Sequence, residues 1–68
     1  MKPIKHIQRV GELRRTKKLT LADLAQCCGL VASTIYRIEN GRDVKLSVMR
    51  KVSDYLGKPI EYLWPKHK

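Results

Sequence analysis

At 68 residues the chain can form one compact domain at most, with a core that depends on tight helix packing, a partner subunit or a staple. Fifteen lysines and arginines against six acids give a net charge of +9, which points to a polyanionic partner, nucleic acid first, without separating DNA from RNA or anionic lipid. No membrane span, signal peptide or zinc site is expected: no apolar run is long enough, the N-terminus lacks an apolar core segment, and Cys27 and Cys28 are adjacent while His6 and His67 lie near opposite ends.

The first predicted helix runs from about Ile4 to Lys17, with Ile4, Ile7, Val10 and Leu13 facing inward. Gly11 weakens its propensity and is a candidate for close packing. The second helix opens on Leu19-Thr20-Leu21-Ala22-Asp23. Thr20 can accept a hydrogen bond from the Asp23 amide while the Asp23 carboxylate reaches back, and Leu19 can staple onto Leu24. Leu21, Leu24, Ala25 and Cys28 recur at helical spacing until Gly29 ends the run. The two cysteines read as buried, reduced thiols of a cytoplasmic protein rather than a strained bridge.

A third helix starts near Ala32, carries Ile35 and Ile38 inward and stops at Asn40-Gly41. A fourth spans roughly Leu46 to Leu56, burying Leu46, Met49, Val52 and Leu56 with Tyr55 at the edge, and Gly57 stops it. Pro59 opens a short last helix, Ile60 to Trp64, which Pro65 closes. Residues 65–68 then form a basic tail. Strand and hairpin signals are few, so the expectation is an all-α, compact five-helix bundle. Its centre, about residues 20–40, is two helices joined by a tight turn, an arrangement that can present a rigid helix to a DNA groove.

Leu24-Ala25, Gly29, Thr34-Ile35 and Ile38-Glu39-Asn40-Gly41, with Ala25, Gly29 and Ile35 separated by four and then six residues, resemble the Cro/C1-type (XRE-like) helix-turn-helix regulators. Leu13-Arg14, Leu56-Gly57 and Ile60 to Leu63 extend the match over about Ile7 to Trp64. The resemblance implies a lambda-repressor-like DNA-binding domain covering residues 1–68, without catalytic activity, metal or cofactor. It also implies an ion pair between Arg14 and Glu39 that joins the first helix to the end of the third, which makes both residues structural. Three positions depart from the family pattern. Leu21 stands where glutamine is common, Val31 where serine or threonine usually caps the third helix, and Ala32 where a long polar side chain is common. Val44 also replaces a frequent loop proline.

With Ile35 and Ile38 inward, Ala32, Ser33, Tyr36 and Arg37 point outward and are the base-reading candidates. Arg37 suits a bidentate contact to guanine or a phosphate equally well, and Val31 or Ala32 can touch thymine methyls. Ser33 can read DNA or cap its own helix. Lys17, Lys18, Thr20, Thr34, Asn40, Arg42 and Lys45 are the phosphate candidates, which position the protein without carrying sequence information. Lys2, Lys5, Arg9, Arg50, Lys51 and Lys58 are expected to be solvated. Tyr62 and Trp64 either close the core or anchor a homodimer, whose two reading helices then lie about 34 Å apart on a palindromic operator. The function expected is a double-stranded-DNA-binding transcriptional regulator, most plausibly a repressor. The alternatives are an antitoxin-type module with an unknown protein partner and a restriction-modification controller.

Overall fold

The computed structural model describes residues 8–65. Five helices follow one another: α1 (Val10–Thr16), α2 (Leu21–Cys28), α3 (Ala32–Glu39), α4 (Leu46–Leu56) and α5 (Ile60–Leu63), with no strand among the described residues. α2 and α3 pack on each other, α4 covers α2, α5 closes on α4, and α1 reaches α3. Their apolar stripes meet in one core of Val10, Leu24, Ala25, Cys28, Ile35, Ile38, Val52, Leu56 and Leu63. Leu13, Leu19, Leu21, Leu30, Val44, Val48 and Trp64 pack around it.

The helix ends explain why such short segments hold. Thr20 Oγ1 accepts from the Asp23 amide at 3.0 Å and Asp23 Oδ2 accepts from the Thr20 amide at 3.0 Å, completing the predicted capping box at the start of α2. The Asp23 carboxyl is held below its ordinary value of 3.8, first by the Thr20 backbone hydrogen bond and then by the Thr20 side chain. At the other end Gly29 adopts φ 72°, its amide reaches Gln26 O at 3.2 Å and Leu30 N reaches Ala25 O at 2.7 Å. That pairing uses the last carbonyls of α2 and turns the chain toward α3.

α1 ends by the same geometry with a different residue. Lys18 N donates to Arg15 O at 3.0 Å and Leu19 N to Arg14 O at 3.1 Å, while Lys18 itself sits at φ 59°. It is the one non-glycine residue with positive φ among those described. A side chain in the left-handed region costs roughly 1 kcal/mol relative to glycine.

Several expectations are corrected. α1 begins at Val10, not Ile4: Gln8 and Arg9 are not helical, and Ile4 and Ile7 lie outside the described residues. Gln8 Oε1 accepts from the Gly11 amide at 3.1 Å, which terminates the helix from outside. Leu46 is 55% exposed rather than buried. The helical period sets the inward stripe of α4 over Val48, Met49, Val52 and Leu56, and Leu46, the first residue of α4, falls off it. Only Cys28 of the two thiols is buried, and burial pushes its pKa up; Cys27 is exposed. The tail is outside the described residues beyond Pro65.

Candidate nucleic-acid interface

α3 divides sharply into two faces. Ile35 and Ile38 are fully buried, whereas Ala32, Ser33, Tyr36 and Arg37 are exposed. The structure therefore brings the four base-reading candidates together on one side of one helix, held by apolar packing on the other side. Val31 precedes them at the N-cap position with extended backbone (φ −104°, ψ 155°) and no side-chain cap. Ser33 makes no cap bond for α3, so its hydroxyl is not committed to that role.

The phosphate candidates separate into two groups by their place in the chain. Lys17, Lys18 and Thr20 are exposed on the turn between α1 and α2. Thr20 Oγ1 already accepts from Asp23, so it offers a phosphate only its O–H. Further along the chain, Arg37 Cα-to-loop closure comes from Arg42 N donating to Arg37 O at 3.0 Å and Gly41 N donating to Ile38 O at 3.0 Å. The exposed Arg42 follows at once. Thr34, Arg37 and Lys45 then share an open cleft of about 540 Å³ with Asp43, Val44 and Val48. Thr34 is half-buried there. Asn40 Nδ2 donates to Tyr36 O at 2.7 Å, so one donor of that amide is committed to its own helix.

Arg14 and Glu39 pair as the resemblance implies. Arg14 Nε lies 2.6 Å from Glu39 Oε2 and Arg14 Nη2 lies 3.1 Å from Oε1, a bidentate fork with the two side chains 15% and 13% exposed. Arg14 Nη1 also donates to Leu19 O at 2.8 Å, tying the pair to the turn before α2. The hydrogen bond to Glu39 pushes the guanidinium pKa above its ordinary value. Neither residue faces outward with Arg37.

Two further residues complete this junction, of which Gln8 carried no signal in the sequence. Gln8 Nε2 donates to Glu39 O at 3.5 Å while its oxygen serves α1, so one side chain spans both helices. Gly11 fits against the pair: a Cβ there would lie 3.0 Å from the Glu39 carboxylate carbon and 3.3 Å from Arg15 Nη1. Gly11 was expected to mark close packing, and the Glu39 carboxylate is what it packs against.

At the α5 end, Tyr62 is 37% exposed and Trp64 half-buried against the core. Arg9, expected to be solvated, is half-buried with its guanidinium 4.5 Å from the Tyr62 ring centroid; Lys58 is exposed as expected, with its ammonium 5.3 Å from the same centroid. Arg9 N also donates to Leu63 O at 2.8 Å, joining the start of α1 to α5. No group of three or more metal-ligating side chains occurs among the described residues, and no helix is long and apolar enough to cross a membrane.

Two short helices joined at Gly29, the second buried by Ile35 and Ile38 and open along Tyr36 and Arg37, define a helix-turn-helix protein. Residues 10–63 match the Helix-turn-helix family, and the chain belongs to that family. It is a family of DNA-binding regulators, not of enzymes. The chain is 40% identical over 58 residues to the uncharacterized HTH-type transcriptional regulator RghRB of Bacillus subtilis (strain 168), a match covering 82% of this chain and 42% of that protein. It thus spans about two-fifths of the length of that curated relative. Among solved structures it resembles the restriction-modification controller protein C.AhdI from Aeromonas hydrophila, at 33% identity and a TM-score of 0.73 over 82% of this chain and 83% of the other.

Proposed function

We propose that the chain acts as a single domain that binds a palindromic operator in double-stranded DNA as a homodimer and represses transcription by occupying it. The observation that carries this reading is the division of α3, with Ile35 and Ile38 locked into the core and Ala32, Ser33, Tyr36 and Arg37 left exposed. A helix held this way inserts as a rigid body, so only its exposed side chains, not its backbone, have to be ordered on binding. Arg37 carries the strongest base contact, bidentate to guanine, while Lys17, Lys18, Arg42 and Lys45 meet phosphates on either side and Thr20, Thr34 and Asn40 donate neutral hydrogen bonds. Tyr62 and Trp64 supply the dimer contact. The Aeromonas relative favours one form of this reading, a restriction-modification controller.

Selection of bound fragments from random duplex DNA tests the reading. The expected product is a two-fold symmetric sequence with half-site centres about one helical turn apart. Recovery of unrelated sequences, or of asymmetric sites bound by a monomer in sedimentation, overturns the operator and dimer parts respectively.

A further inference from the structure

The three most exposed large apolar side chains of the described chain are Val31 at 63%, Tyr36 at 59% and Leu46 at 55%. Two of them lie on or next to α3, on the face that also exposes Ala32, Ser33 and Arg37. Val31 breaks two local rules at once. It occupies an N-cap, where serine, threonine, aspartate or asparagine stabilises a helix and valine does not. It also leaves a β-branched apolar side chain in solvent beside the turn. Local rules are broken without compensation mainly where a surface is used.

The polar inventory of the same face narrows the use. Adenine is commonly read by a side-chain amide, and none occurs at the N-terminal tip of α3; Asn40 lies at the opposite end of the helix, as its C-cap. The first turn instead offers Val31, the methyl of Ala32 and Ser33. The group in a major groove that matches an apolar tip is the C5-methyl of a pyrimidine. The flanking Lys17, Lys18, Arg42 and Lys45 supply the charge that brings a polyanion to it.

Resting on the DNA-binding reading above, we infer that the tip of α3 is a C5-methyl reader, in which Val31 and Ala32 close on the methyl group of thymine while Arg37 takes guanine further along the groove. Specificity at those positions is then apolar and comes from the methyl group, not from hydrogen bonds to the base.

The test uses a duplex recovered by selection, with each thymine replaced in turn by deoxyuridine, which deletes the methyl and leaves every hydrogen bond in place. One or two thymines in each half-site are expected to weaken binding about fourfold when replaced, the worth of one buried methyl. Val31→Ser separates this from a structural role, because serine restores a cap. The variant is expected to melt at a higher temperature than the parent yet to discriminate the thymine from the deoxyuridine duplex less than the parent does, with Ala32 supplying what remains. Tight parent binding with no sensitivity to any deoxyuridine overturns the methyl reader and leaves the DNA-binding reading standing. Unchanged sensitivity in Val31→Ser overturns the assignment to Val31. Loss of all salt-dependent duplex binding by the parent overturns both readings.

Discussion

Arg14 and Arg37 are the same residue type, both near α3, with opposite fates. Arg14 is clamped between Glu39 and Leu19 O and is mostly buried, whereas Arg37 lies exposed in the cleft with Thr34 and Lys45. One end of α3 is fastened to α1 by a charge pair, and the side facing away from the core is left for contact. In so basic a chain, the number of cations says little about the interface. What matters is which cations already have an internal partner. The same distinction applies to Arg9, half-buried with its charge over Tyr62.

The contrast can be broken from its buried side first. Glu39→Ala leaves the mostly buried Arg14 side chain without its carboxylate, and thermal or urea unfolding should register a loss of about 3–5 kcal/mol. Arg37→Ala should leave that unfolding curve unchanged. It should weaken operator binding by about 1–3 kcal/mol while barely affecting random DNA, which competition binding on the two duplexes measures. An equal loss on both DNAs reassigns Arg37 to phosphate.

Gly11→Ala sharpens the picture of the junction. The added Cβ meets a carboxylate held by Arg14, so the helix-propensity gain is outweighed and the domain loses about 1 kcal/mol. In a Glu39→Ala background the obstacle is gone and the same substitution should stabilise. A double-mutant cycle reads the change of sign.

Lys18→Gly should produce effects of opposite sign in folding and binding. Glycine relieves the left-handed backbone and adds about 1 kcal/mol or less to stability, while the salt dependence of DNA binding loses about one phosphate's worth of slope. The smallest effect belongs to pH. Because the folded Asp23 carboxyl lies below its ordinary value of 3.8, its capping contribution is complete above that value. It is lost as the pH falls through the lower, folded value. Thermal melts taken into the acid range should therefore fall less steeply for Asp23→Asn than for the parent.

The order of helices and most of the core were legible in the sequence because each helix carries its own boundary signals. Thr20 with Asp23 opens α2, Gly29 and Gly57 end helices in the left-handed region, and Ile35 and Ile38 recur at the helical period. The start of α1 was not legible, since the apolar period runs on past Val10 toward Ile7 and Ile4 while Gln8, a polar residue with no capping signature, supplies the stop. Leu46 misled for a related reason: its hydrophobicity suggested burial, but its angular position on α4 decided exposure.

Within the site, the outward face of α3 followed from where Ile35 and Ile38 point. The Arg14–Glu39 pair came from family resemblance, because residues 25 positions apart carry no local signal of contact. The stacking of Arg9 on Tyr62 was invisible for the same reason, since it exists only once the start of α1 lies beside α5.

The most direct measurement of the central claim is the affinity for a selected operator and for a scrambled duplex of equal length, followed across salt concentrations. With Lys17, Lys18, Arg42 and Lys45 each neutralising one phosphate, log affinity should fall against log salt with a slope of about −4 per protomer on the operator. The operator should stay the tighter ligand throughout. A flat salt dependence contradicts the phosphate-flanked interface, and equal affinity for the two duplexes contradicts a reading role for the exposed face of α3.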